Sequence, residues 1–221
     1  MTHSLADRLA TLQQGLPEGT RLLAVSKGQP AALIREAVAA GQRSFGESRV
    51  QEAIAKQAEL ADLGPLDWHF IGRLQANKAR QVVRHFGTIH SLDSVELAQR
   101  LARIAAEEGL APAVLFQVKL RPDPAKTGFD PDRLRQQWPE LAALSPLRPV
   151  GLMTIPPLGL TAPERMALFD DCRRLAEELG LVELSMGMSG DWQEAVAAGS
   201  TWVRLGSGLF GQRTLGHPVV G

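Results

Sequence analysis

A lysine closes the first apolar run of the chain, in Leu22-Leu-Ala-Val-Ser-Lys27. Two-residue alternation along a strand places Leu23, Val25 and Lys27 on one face. A lysine held among apolar side chains is easier to deprotonate, and the free amine is suited to Schiff-base chemistry with a carbonyl. The competing reading is a solvated lysine just past the end of a strand. Position alone leaves both open.

A second set of residues suits an anion. The segment Trp202-Val-Arg-Leu-Gly-Ser-Gly-Leu-Phe-Gly211 follows an apolar run with glycines at 206 and 208. Such glycines let backbone N–H groups approach a phosphate closely. Just upstream, Met186-Gly-Met-Ser-Gly-Asp-Trp-Gln193 carries Ser189, which can cap a helix and face the same anion. Arg204 alternates with Trp202 and so can point inward, toward either a ring nitrogen of a ligand or an acidic neighbour. His69, beside Trp68, is open to a general-base reading, although a lone strand histidine is more often a hydrogen-bonded packing residue. No HExxH, Cys/His cluster or carboxylate constellation suggests a metal, and neither the GxxxxGK[ST] loop nor a GxGxxG fingerprint occurs as a strand–turn–helix motif.

These residues need a frame to converge. Short apolar runs at Leu22–Ser26, Ser44–Gly46, Trp68–Ile71, Thr88–Ser91, Val114–Lys119, Val150–Ile155, Leu184–Met186 and Val203–Leu205 alternate with helix-periodic stretches. Near-continuous apolar strands are the mark of parallel sheets covered on both faces. The helices have recognisable ends: Ser94 opens one that Gly109 stops, and Thr161, Pro163 and Glu164 start another that Gly180 closes. The polar stretch from Gln75 to Arg84 reads as a solvated helix face. Eight βα units over 221 residues, about 28 residues each, predict a single α/β domain over residues 1–221, a (β/α)₈ TIM barrel. A doubly wound open sheet is the alternative. In a barrel, Lys27 ends β-strand one where active sites form, and the two Gly/Ser loops follow strands seven and eight, a recurrent phosphate position.

Lysine plus arginine equals aspartate plus glutamate at 24 each, a balance that gives no long-range pull toward nucleic acid or anionic membrane. The single cysteine, Cys172, excludes an internal disulfide and reads as a packed small hydrophobe. The first residues carry no basic and apolar leader, and no apolar run approaches the roughly 20 residues that cross a bilayer, so a cytoplasmic protein is expected.

With these residues assembled, the chain resembles the pyridoxal phosphate homeostasis protein family from about Leu22 to Arg213. The most specific element is Trp68-His-Phe-Ile-Gly-x-Leu-Gln-x-Asn-Lys78, supported by Ala24-Val-Ser-Lys27, Phe45-Gly-Glu47, Val50-Gln-Glu52, Gly151-Leu-Met153, Leu184-Ser-Met-Gly-Met-Ser189 and Val203-Arg-Leu-Gly206. The resemblance implies an alanine racemase N-terminal-domain-like barrel that holds pyridoxal 5′-phosphate (PLP) as an aldimine on Lys27. It implies that Ser189, Gly206 and Ser207 hold the phosphate, that Arg204 faces the pyridine nitrogen, and that Met188, Ser48, His69, Ser91 and Met153 complete the cofactor site. Departures are visible. Gly46-Glu-Ser-Arg49 stands where the family has Gly-Glu-Asn-Tyr, and Ser26-Lys-Gly-Gln-Pro30 lacks a second lysine. Lys126, in Ala125-Lys-Thr-Gly128, matches another family lysine and is a candidate transfer site.

The resemblance further implies a carrier or buffer of the cofactor in intracellular PLP homeostasis, without significant amino-acid turnover. Transient contact with PLP-dependent apoenzymes and a monomeric state are expected with it. The alternative is a PLP-dependent amino-acid racemase-type enzyme with His69 or Lys126 as second base. A third possibility is a barrel enzyme for another phosphorylated metabolite. A racemase on this scaffold needs two bases and a wall over the cofactor, and the sequence contains no tyrosine.

Overall fold

Residues 4–211 are described in the computed structural model, and Arg213, at the far end of the resemblance, lies outside them. A helix not anticipated from the sequence, α1 (Leu5–Gly15), comes first. Its hydroxyl cap Ser4 accepts the Asp7 N–H at 3.1 Å while Asp7 Oδ2 accepts the Ser4 N–H at 3.0 Å, a reciprocal capping box. Then β1 (Arg21–Val25), α2 (Ala31–Ala39), β2 (Ser44–Glu47), α3 (Val50–Glu59), β3 (Asp67–Phe70), α4 (Ala79–His85), β4 (Thr88–Leu92) and α5 (Val95–Glu108) alternate. The second half continues with β5 (Ala113–Gln117), α6 (Pro131–Ala142), β6 (Arg148–Met153), α7 (Ala162–Glu178), β7 (Glu183–Ser185), α8 (Trp192–Ala197), β8 (Trp202–Leu205) and a single turn α9 (Ser207–Phe210).

The strands pair in parallel and in chain order, and β8 returns to β1 with Arg21 opposite Trp202 and Ala24 opposite Leu205. That closure makes a (β/α)₈ barrel and rules out the open sheet. The eight expected strands all form, with no end displaced by more than two residues. Lys27 consequently lies two residues beyond β1. Alternation works as expected in β1: Leu22 and Ala24 join the core between barrel and helices, whereas Leu23 is wholly buried outside that cluster and Val25 turns to the barrel mouth.

The helix ends also follow local chemistry. Ser94 Oγ accepts the Leu97 N–H at 3.2 Å, and Gly109 terminates α5. Thr161 and Glu164 form a capping box on α7. The Gln75–Arg84 stretch is not purely a solvated face. A 3₁₀ turn at Ala76–Lys78 leads into α4, which buries Ala79, Val82 and Val83 and leaves only its outer face polar. Cys172 is buried on α7, where desolvation pushes its thiol up to about 12 and leaves it a packing group. No described helix is long and apolar enough to cross a membrane.

Candidate functional site

A cavity of about 470 Å³ opens at the C-terminal mouth of the barrel, where Lys27, Met153, Met188, Ser189, Arg204, Gly206 and Ser207 converge with Val25, Gln29, Ile71, Ile155 and Gly211. This size suits a small-molecule ligand. Seven of the ten residues expected around the cofactor therefore meet here. The other three do not line this space: Ser48 lies on a neighbouring cavity, His69 is inside the barrel below, and Ser91 is buried with no described partner for its hydroxyl. Lys126 is also outside, donating to Pro156 O at 2.7 Å and pairing with Asp123 at 3.0 Å.

The loop carrying Lys27 is pinned on both sides. Ser26 Oγ donates to Glu47 Oε1 at 2.7 Å, Lys56 Nζ donates to Ser26 O at 2.8 Å, and Gly28 N–H donates to Glu52 Oε1 at 2.5 Å. Gly28 has φ 71°, a left-handed turn that glycine adopts without strain, and it carries the chain away just after Lys27. Lys56 ties the supports together, reaching Glu47 at 2.8 Å and Glu52 at 2.6 Å. Burial raises the Glu47 carboxyl above its usual range, an effect only partly offset by Lys56 and Ser26. Glu47, Glu52 and Lys56 held no assigned role in the sequence. The signal available was the pair of motifs Phe45-Gly-Glu47 and Val50-Gln-Glu52, with Lys56 one helical turn after Glu52.

Opposite Lys27, two serines form an oxygen pair on separate loops: Ser189 Oγ, after β7, lies 3.2 Å from Ser207 Oγ, after β8. Gly206 sits where an added Cβ would come within 3.2 Å of Val25 O, so the loop lies tight on β1. Hydroxyls and loop N–H groups at this end of the cavity suit a phosphate.

Arg204 turns inward from β8 and is 5% exposed. Its Nη1 donates to Ser185 Oγ at 2.8 Å and its Nη2 to Thr154 O at 3.1 Å. Each terminal nitrogen thus spends one N–H on the barrel wall, and Arg204 also lines the cavity. Burial lowers the guanidinium to about 10, and it remains a cation at neutral pH.

Behind Arg204 a chain of polar groups descends the barrel interior. Ser185 Oγ lies 2.8 Å from His90 Nδ1, His90 Nε2 lies 2.8 Å from His69 Nδ1, and His69 Nε2 lies 2.6 Å from Asp67 Oδ2. Donor counting fixes the direction. Arg204 can only donate, so the Ser185 hydroxyl proton goes to His90 Nδ1, His90 Nε2–H donates to His69, and His69 Nε2–H donates to the Asp67 carboxylate. The opposite direction would leave the Ser185 proton without an acceptor. Burial, together with the nearby His69 and Arg204, holds His90 well below the usual histidine range and so neutral. Burial alone would raise the Asp67 carboxyl, but hydrogen bonds from His69 and Ser44 outweigh it and hold it below its usual value. A cation at the mouth and an anion at the base are therefore joined through Ser185, His90 and His69. His69 serves here as a hydrogen-bonded interior residue, edge-on to Trp202 with ring centroids 4.7 Å apart, and not as a group facing the cavity.

The model of the alanine racemase N-terminal domain family matches residues 2–214. A pyridoxal phosphate homeostasis protein of Synechocystis is 48% identical over 204 residues, covering 90% of this chain and 94% of that one. Its counterpart in Pseudomonas aeruginosa is 47% identical over 206 residues, covering 92% and 89%. Among solved structures, PipY of Synechococcus elongatus with PLP bound is 57% identical, covers 94% of this chain and 100% of that one, and superposes with a TM-score of 0.91. The closed eight-stranded barrel, the lysine beyond β1 and these likenesses agree, and the chain belongs to the pyridoxal phosphate homeostasis protein family of alanine racemase N-terminal-domain-like barrels.

Proposed function

We propose that this protein binds PLP covalently through Lys27 and serves intracellular PLP homeostasis as a carrier or buffer of the cofactor. The residues present fit the group. A phosphate is matched by the Ser189 and Ser207 hydroxyls and the Gly206 loop, an aldehyde by Lys27, and a pyridine nitrogen by Arg204. Bound there, PLP supplies a reactive aldehyde on an electron-poor ring. Lys27 would hold the aldehyde through its Nζ, a condensation that would release one water. Met153, Met188, Ile71 and Ile155 give the ring apolar walls. Arg204, charged and held from behind, disfavours a second positive charge on the ring nitrogen and so opposes carbanion chemistry.

The observation that carries the carrier reading over a racemase is the composition of the cavity wall. Among the described residues, Lys27 and Arg204 are the only ionisable side chains lining it. Racemisation needs a base on each face of the substrate carbon. His69 lies in the interior chain and Lys126 is bonded elsewhere, so neither candidate second base faces the cavity. The same reading covers a single domain over residues 1–221, acting as a cytoplasmic monomer that meets PLP-dependent apoenzymes transiently.

The test is a visible spectrum of wild type and Lys27→Ala after incubation with PLP and desalting, alongside a racemisation assay on alanine. A yellow wild type, a colourless variant and no racemisation support the carrier. Steady racemisation by wild type would instead make it an enzyme.

A further inference from the structure

We propose that a second cavity, beside the first and lined by Arg49, Arg73 and Lys78, binds a phosphate monoester with a small apolar body. This cavity measures about 500 Å³, and it is separate from the Lys27 cavity in its lining residues. Its walls are brought together by one glycine. A Cβ at Gly72 would lie 2.2 Å from Ser48 O and 2.7 Å from Ser48 Cα, so only a residue without a side chain lets the loop after β3 press on the loop after β2. Arg49 and Arg73, which follow Ser48 and Gly72 on those two loops, line the same cavity.

Cations outnumber free carboxylates on this cavity. Most surface arginines are spent on acids, as in Arg35 with Asp62, Arg84 with Glu108 and Arg135 with Glu178. Arg49, Arg73 and Lys78 form no salt bridge among the described residues, although Arg49 also acts electrostatically on Glu52. The one carboxylate on the cavity, Glu52, is already held by Lys56 Nζ at 2.6 Å and by Gly28 N–H at 2.5 Å. Helix α3 also starts here without a side-chain cap, so its first N–H groups add to the positive end. Beneath the cations, Val50, Phe70 and Leu74 are buried and give an apolar floor. Three cations above an apolar floor match a dianionic head on an apolar body.

The probe is phenyl phosphate, titrated calorimetrically at low salt into the full chain, into Arg49→Gln/Arg73→Gln and into Ser189→Ala/Ser207→Ala. Both arginines are exposed, so the first variant is expected to fold and to take up PLP as wild type does. The expected result is a binding event at least tenfold weaker in the arginine variant, retained in the serine variant, and weakened by added salt. Binding unchanged in the arginine variant overturns the proposal. Phenol binding as tightly as phenyl phosphate removes the anion from it, and inorganic phosphate binding as tightly removes the apolar body. A protein that fails to hold PLP yet keeps this arginine-dependent event would sink the carrier reading and leave the second site standing.

Discussion

His90 Nε2 donates to His69 Nδ1 across 2.8 Å inside the barrel, and this single contact joins the charge at the cavity floor to the charge at the barrel base. On the other side of the ring, His90 Nδ1 can accept the Ser185 hydroxyl proton only while His90 stays neutral. The consequence for stability has a definite sign. Unfolded His90 takes a proton near its usual 6.5, whereas the folded protein refuses it until far lower pH. Its contribution is thus complete above about pH 6.5 and is lost as pH falls below that, at about 1.4 kcal/mol per pH unit. Urea unfolding between pH 6.5 and 5 should show this extra slope in wild type and lack it in His90→Gln. Equal slopes in the two would mean His90 is protonated in the folded state.

Lys56 supports the Lys27 loop from a buried position between Glu47 and Glu52. Changing Lys56 to Met strands the buried Glu47 carboxylate, whose Oε2 already has no described partner. The expected loss is about 3–5 kcal/mol in urea unfolding, with much of it recovered in Lys56→Met/Glu47→Gln. A loss under about 1 kcal/mol would show the triad to be dispensable.

Ser189 Oγ and Ser207 Oγ lie 3.2 Å apart on the Lys27 cavity, where the proposed function puts the phosphate. Each change to alanine should weaken PLP binding by about 1 kcal/mol, roughly fivefold in Kd, with little effect on folding because both are exposed. Unaltered affinity in both variants would move the phosphate elsewhere.

Arg204 presents a cation whose terminal nitrogens are fixed by Ser185 and Thr154. Replacing it with glutamate puts an acceptor where the charge stood and should favour protonation of the ligand's ring nitrogen. The pH titration of the visible band should shift. An unchanged titration would count against the contact.

Much of this was legible before any coordinates. Strand alternation placed Val25 and Lys27 at the mouth and turned Arg204 inward, because period two is a local property of an extended chain. The Gly/Ser loops after β7 and β8 were expected at one end of the site, and the structure brings Ser189, Gly206 and Ser207 to the same cavity as Lys27. What the sequence hid is long-range. Nothing local says that His90, 21 residues from His69, will meet it inside a closed barrel, or that Ser185, 95 residues further along, completes the path. Lys56 carried no role in the sequence, and only the folded chain brings the Ser26 carbonyl, just beyond β1, against it. Ser48 was expected on the Lys27 cavity, but the close approach allowed by Gly72 puts it on the neighbouring one.

The most direct measurement is borohydride reduction of the PLP-treated, desalted protein followed by peptide mass mapping. The account predicts a reduced pyridoxyl phosphate adduct on the peptide containing Lys27, and none at that site in Lys27→Ala. A reduced wild type with Lys27 unmodified, or with the adduct confined to another lysine such as Lys126, would contradict it.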